Sequence, residues 1–379
     1  MSYLEDTSNY FFLSLFARAT LTEEGLQSIN SELEKERDWD GFLRMAQSHN
    51  MIPLLEHHVQ ENNIALPADQ LLLLKAMMME HKALLLARFE AIKEIDHYLR
   101  LENLYFIGLK GIILAPMLYA KNELRPMRDI DILLSKGDCI KAAEVLRKLG
   151  FAIPYAQENR WEEGLQHLPD AIKNYNGFQI TVELHHDAIH RDASGNLQSD
   201  NLLSETSIVE LNDLQLNTLG HIDMLNQLCR HIQGPDGERL IKLISMLDIV
   251  LYAEKFISDI SWQEVKNTQP HVLNTLRCIH MVIPLSVELK LVIGDIDDNT
   301  LLEGRGVPMG SFRYALSRND WGFRKKIASL FNPSQWWMHM YYGVLPQDSL
   351  TMVRYVIHPF TVLRIIFRRF LVTVTSFLP

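Results

Sequence analysis

Between residues 104 and 185 the hydrophobic period of this chain changes, and that change narrows the folds open to it more than any other feature. Leu104-Tyr-Phe-Ile-Gly108 is a short apolar, aromatic-rich run that ends in glycine, as a buried strand does. Lys110-Gly111 follows, and Ile112 to Tyr119 reads as helix, with Pro116 restricting it to a first turn or a kink. After the polar turn Lys121-Asn-Glu, the stretch from Arg125 to Leu134 ends in alternating charged and aliphatic residues, which predicts a second strand. Lys141 to Leu149, closed by Gly150, reads as helix, and Gln179 to His185 alternates again as a third strand. Strand, helix, strand, helix, strand inside helical flanks predicts an α+β fold: a small mixed sheet embedded in mainly helical N- and C-terminal regions. The divisions expected are a helical region over 1–100, a sheet-bearing core over 101–195 and a helical region over 196–379.

The flanks carry the longer period. Thr20-Leu-Thr-Glu23 reads as a capping box ahead of Leu26, Ile29 and Leu33, so a helix is expected to about Glu36. A short amphipathic helix from Trp39, a turn at His49-Asn50 and a helix opening near Pro53 come next. Pro67 and Asp69 start a long apolar helix through Phe89, Ile92 and Ile95, whose Met77 to Met79 triplet reads as core filler. Beyond residue 200 helical spacing returns, over Asp223 to His231 and Arg239 to Phe256, with a break at Ile260-Ser-Trp262 and a further helix through Leu276. The last piece, Thr361 to Pro379, sets Arg364, Arg368 and Arg369 among Ile, Phe, Leu and Val, with no acidic residue after Asp348. Such an end either packs its apolar face on the body or makes peripheral contact with an anionic membrane surface.

Charge and cysteine content exclude several functions. With 47 acidic against 37 basic residues the net charge is -10, which opposes non-specific binding of a long nucleic acid but leaves a single nucleotide open. Cys139, Cys229 and Cys278 are an odd, widely spaced set that suggests neither a disulfide framework nor a cysteine zinc site and fits a reducing cytoplasm. Glu5 and Asp6 stand where a signal peptide would carry positive charge, and no run is long and apolar enough to predict a spanning helix.

The candidate chemistry is acidic. Asp129 and Asp131, two apart on a predicted strand, would point to one face with Cα atoms about 6.5 to 7 Å apart. Paired carboxylates so placed can share divalent metal, and metals about 3.5 to 4 Å apart stabilise both oxygens of an in-line phosphoryl displacement. Glu183 supplies a third carboxylate on another strand, with His185 on its side. Gly108-Leu-Lys110-Gly111 joins a strand to a helix, where backbone N–H groups can meet phosphate, Lys110 adds a point charge and Gly111 permits close approach. His186 and His190 form a competing pair for zinc if their segment is helical. Asp248, inside an apolar helix, is expected to pair with Arg239 or another basic residue from an adjacent helix. Neither a Gly-x-Ser-x-Gly elbow nor a P-loop is present.

The order Gly-x-Lys-Gly, Arg-Pro-Met-Arg-Asp-Ile-Asp-Ile-Leu-Leu, Val-Glu-Leu-His resembles the nucleotidyltransferase superfamily of the DNA polymerase beta type. More narrowly it is similar to an uncharacterised bacterial nucleotidyltransferase family with a Leu-Lys-Gly loop and an Arg-x-x-x-Asp-Ile-Asp strand. Trp39 to Leu55, and Leu225 to Trp262 with His231, Arg239 and Asp248, extend the likeness over most of residues 35 to 265. The resemblance implies a nucleotidyltransferase core in which Asp129, Asp131 and Glu183 hold Mg2+ or Mn2+ and Glu183 helps to activate an acceptor hydroxyl. It implies that Lys110, Gly111, Arg125 and Arg128 hold the nucleotide, with Arg125 touching phosphate or bracing the strand, while His185 supports the acids. The partners implied are a nucleoside triphosphate and an acceptor, a small molecule or protein rather than a long nucleic acid. Arg128 and the Lys-Gly pair depart from the superfamily's small residue and Gly-Ser, so a catalytically inactive nucleotide-binding or scaffold protein of the same fold is the alternative.

Overall fold

A computed structural model describes residues 3–154, 166–189, 206–233, 241–294, 296 and 322–375. Five helices come first: α1 (Tyr3–Leu15), α2 (Glu23–Leu33), α3 (Trp39–Ser48), α4 (Ile52–Glu61) and α5 (Ala68–Leu101). Their ends are written in local chemistry. The Thr22 side chain accepts from the Gly25 N–H, the Asp38 side chain caps α3 by accepting from the Gly41 N–H, and Pro53 occupies the first turn of α4. The capping residue of α2 is thus Thr22, two positions after the expected Thr20, and α1 lies where no helix was expected. Asn50, Asn63 and Asn103 adopt positive φ just after α3, α4 and α5, the left-handed stop that asparagine tolerates best after glycine. Helix α5 has 34 residues, about 50 Å of rod, and packs on the sheet along β4.

The sheet has six strands rather than the three expected. They are β1 (Ile107–Leu109), β2 (Ile130–Leu133), β3 (Ala171–Tyr175), β4 (Phe178–His185), β5 (Ser207–Leu211) and β6 (Leu214–Thr218), in the order β3-β4-β2-β1-β6-β5. Helix α6 (Gly111–Leu118) follows β1 and contains Pro116, and α7 (Lys136–Lys148), capped by Ser135, follows β2. The additional strands belong to hairpins. Asn176-Gly177, with φ of 50° and 89°, joins β3 to β4, a pair of positive-φ residues that matches strand twist. Asn212-Asp213 joins β5 to β6, where the sequence was read as returning to helix. Strand β6 then pairs parallel with β1, so this hairpin is part of the central sheet.

Beyond the sheet, α8 (His221–Gln233) and α9 (Leu243–Lys255) cross each other, and α9 also packs on α6. One continuous apolar core runs from Tyr10 in α1 through Ile130, Ile132, Val182 and Leu184 of the sheet to Trp336 and Val353. All three cysteines are buried and unbridged. At the C-terminus a π-helical turn, Val353–Ile357, leads into α15 (His358–Thr375), after α10 (Trp262–Thr268), α11 (Pro270–His280), α12 (Val287–Ile293), α13 (Phe323–Phe331) and α14 (Gln335–Tyr342). Along this last segment Met352, Tyr355, Phe360, Leu363 and Phe367 stand exposed at helical spacing. Among the described residues no helix is long and apolar enough to cross a membrane.

Candidate active site

Strand β2 lies between two neighbours of opposite sense, antiparallel β1 and parallel β4. The parallel register sets Asp131 against Glu183 and Leu133 against His185, so the alternation of side chains brings Asp131, Glu183 and His185 to one face while Ile130, Ile132, Val182 and Leu184 enter the core from the other. Asp129 falls just before β2, which begins at Ile130. The expected strand alternation therefore holds for Asp131 but not for Asp129, which sits at the mouth of the site.

His185 Nε2 lies 3.0 Å from Asp131 Oδ1 and 3.1 Å from Glu183 Oε2. Two carboxylates need a donor there, so the imidazole proton belongs on Nε2. Behind it, Cys139 Sγ donates to the carbonyl oxygen of His185, fixing the end of β4. The Lys110 ammonium donates to Asp131 Oδ1 and stands 3.8 Å from Glu183 Oε2. Asp131 Oδ2 is buried with no hydrogen-bond partner.

The protonation states follow from this crowding. Burial alone would raise the Asp131 carboxyl, but Lys110 and His185 hold it well below the usual carboxylate range. Glu183 is lowered in the same way, burial being outweighed chiefly by its bond from His185. Burial works to lower both His185 and Lys110, and the acids beside them hold both above their ordinary values. Asp129 lacks that support. Burial, then the charges of Asp131 and Glu183, push it up to about 6.

Lys110 reaches the acids from a turn with φ 49° and ψ -124°, immediately before α6. A Cβ at Gly111 would meet the Arg125 guanidinium and the Met127 Cβ at 2.5 and 2.6 Å, so glycine there admits the close passage of the 125–127 segment. Arg125 itself turns away from the acids. Its Nη2 donates to Asp248 Oδ2 at 2.8 Å and its Nε at 3.2 Å, and the Tyr119 hydroxyl donates to Oδ1 at 2.7 Å. The partner of Asp248 is thus Arg125 from the sheet region, and Arg239 lies outside the described residues. Arg128 is solvent-exposed, with its Nε 3.5 Å from Asp129 Oδ2. His186 is buried and His190 lies outside the described residues, so the zinc pair has no described geometry.

Asp131, Glu183 and His185 each offer one ligand atom, all within 4.8 Å of one another. The unpartnered Asp131 Oδ2 and the neighbouring Glu183 carboxylate fit a hard divalent cation such as Mg2+ or Mn2+, while His185, its Nε2 proton committed to both acids, holds them in place. Sequence reasoning missed two groups beside this site. Arg88 of α5 donates from Nη2 to the carbonyl oxygen of Arg128 at 2.8 Å, and Lys242 donates to Asn50 Oδ1 at 3.2 Å. Both feel the charge of Asp129, and nothing in their local sequence distinguishes them from surface cations.

Comparison with curated proteins and with solved structures returned no match. A family model does match, over residues 35–288, a span that contains every residue placed in the site above. With that span covering well over half of its length, and the acids set on the sheet as described, the chain belongs to the uncharacterised nucleotidyltransferase family.

Proposed function

We propose that this protein is a divalent-metal-dependent nucleotidyltransferase that moves a nucleoside monophosphate from a nucleoside triphosphate to an acceptor hydroxyl. The observation that carries the reading is the convergence of Asp131, Glu183 and His185 on one sheet face, with Asp129 at its mouth, in a chain of this family. In the transfer the acceptor oxygen bonds to the α-phosphorus, the bond from that phosphorus to the α,β-bridging oxygen breaks, and pyrophosphate leaves. The hydroxyl proton passes to Glu183, whose carboxylate is half-buried beside His185. Bound Mg2+ or Mn2+ would supply Lewis-acid stabilisation of the phosphoryl oxygens. Asp131 and Glu183 would hold it, His185 orients both acids, and Asp129 adds negative charge at the entrance. Lys110 balances the carboxylates, and its ammonium would pair with the charge of the departing phosphates.

A thermal-shift screen against ATP, GTP, CTP and UTP, with Mg2+, Mn2+ or EDTA, tests this beside Asp129→Asn/Asp131→Asn. Metal-dependent stabilisation by one triphosphate, absent in the double variant, is expected; a ligand at 100 times its dissociation constant adds about 2.7 kcal/mol. A folded protein that responds to no triphosphate with either metal would turn the reading to the inactive scaffold of the same fold.

The proposal extends to location at a membrane surface. Residues 349–379 hold four arginines and no acid, so the rest of the chain carries -14 of the net -10. Tyr355 and Phe360, 73% and 70% exposed, belong to an apolar stripe beside that positive charge, a combination suited to anionic lipid. Sedimentation with vesicles of phosphatidylcholine and phosphatidylglycerol, but not phosphatidylcholine alone, is expected. Equal recovery in the supernatant with both would remove this part.

A further inference from the structure

Next to Asp129, on the side of the helical N-terminal region, lies a cavity of about 350 Å³ between α3, α4, α5 and the segment leading into β2. Asn50, His81, Arg88, Met127 and Arg128 line it, with Glu80 as the one carboxylate among the lining residues. Arg88 is the unusual member. It comes from the middle of α5 and is 96% buried, at 4% relative exposure. One of its nitrogens, Nη2, is satisfied by the Arg128 carbonyl oxygen, whereas Nε and Nη1 are buried and make no hydrogen bond. Among the described residues no carboxylate comes within 4 Å of it, in contrast to Arg125 nearby, which has Asp248. A guanidinium presents five N–H donors, and burying one without an anion is strongly unfavourable. Burial accordingly pushes Arg88 down to about 10, with Asp129 acting in the other direction.

The surroundings share the imbalance. The Arg128 guanidinium stands at the rim, and the half-buried Lys242 ammonium, bonded to the lining residue Asn50, is lowered by burial and by the charges of Arg128 and Arg125. Three cations therefore gather at a small cavity that holds one acid in its wall and another, Asp129, at its edge.

We propose that this cavity binds an anionic group of a substrate, a phosphate or carboxylate, with the buried Arg88 guanidinium as its counter-ion. The inference rests on the nucleotidyl-transfer reading and deepens it by naming a substrate class. At about 350 Å³ the space is at the lower end for small-molecule sites, which suits a compact acid and not a polymer. The anion comes either from the phosphates of the nucleotide or from an acceptor that is itself an acid or a phosphate ester.

The test is calorimetric titration of the full chain with inorganic phosphate in EDTA, for wild type, Asp131→Asn, Arg88→Lys and Arg88→Met. Phosphate is expected to bind wild type and Asp131→Asn alike, Arg88→Lys more weakly because a fork is replaced by a point charge, and Arg88→Met at least about tenfold more weakly, since bonds to a charged group are worth about 1.5–3 kcal/mol. Without phosphate, Arg88→Met is expected to unfold at higher urea than wild type, because an unpaired buried charge has been removed. A merely structural arginine would give the opposite shift, and that result, or phosphate binding unchanged in Arg88→Met, or none in wild type, overturns the proposal. Titration of ATP with Mn2+ in the presence of phosphate separates the sources: competition assigns the cavity to the nucleotide's phosphates, and simultaneous binding assigns it to the acceptor. Pyrophosphate release is scored in parallel. Phosphate binding through Arg88 in a protein that turns over no triphosphate would remove the transfer reading and leave the anion site standing.

Discussion

Two buried charge clusters flank the 125–131 segment, and they are built on opposite principles. In the first, Arg125 meets Asp248 and Tyr119: one cation, one anion, one hydroxyl, with both carboxylate oxygens occupied. In the second, Asp129, Asp131 and Glu183 share one ammonium and one imidazole, and a buried oxygen of Asp131 is left over. The first is closed and ties the approach to β2 onto α9 across 123 residues of chain. The second carries more carboxylates than buried cations, and burial together with that excess negative charge raises Asp129. Saturation in one place fixes the strand on which excess is displayed in the other.

The largest effect is expected where closure is broken. Asp248→Ala leaves Arg125 buried and unpaired and should cost about 3–5 kcal/mol of stability in urea titrations. Arg125→Met/Asp248→Leu should recover most of that, because filling both places with apolar groups removes the uncompensated charge. Next is Asp131→Asn, which should lower pyrophosphate release at saturating triphosphate by about 10²–10³-fold, the range for removing one electrostatic contributor to a transition state.

The third expectation has the opposite sign in stability. Asp129 is raised from 3.8 to about 6, so the folded state keeps its proton to higher pH than the unfolded chain. Stability therefore falls as pH rises from about 4 through 6, and the whole penalty is present above that. In metal-free buffer at pH 7.5, Asp129→Asn should be more stable than wild type by about 1–3 kcal/mol, at 1.36 kcal/mol per pKa unit, and the gain should vanish below pH 4. Destabilisation instead would mean that the two clusters obey one rule. The smallest effect belongs to Arg128→Ala: an ion pair whose arginine is 82% exposed should change stability by less than about 1 kcal/mol.

How much of this was legible depends on how local each cause is. Alternation in 130–133 and 178–185 gave β2 and β4 and hence the shared face of Asp131, Glu183 and His185, since a period of two needs no partner to be read. The fold class followed from the same change of period. Strand β3 was missed although Asn176-Gly177 announces a hairpin, because Lys173 and Asn174 dilute its apolar pattern, and β5–β6 was missed for the same polar character. Asp129 was placed on a strand because periodicity marks the middle of an element better than its ends. Arg88 and the partner of Asp248 were invisible: their contacts lie 40 and 123 residues away, and a lone charge in a helix looks the same in sequence whether solvated or buried.

The turn at Lys110 carries a consequence of its own. A φ of 49° with ψ of -124° is a conformation that glycine enters freely and a side-chain-bearing residue enters at about 1–3 kcal/mol. Backbone preference and charge thus make opposing demands on a single position, and the ammonium held by Asp131 is what decides between them. Any engineering of this turn for robustness, by the obvious exchange to glycine, would ease the main chain while stripping Asp131 and Glu183 of the ammonium beside them, so durability and chemistry are coupled here through one dihedral angle.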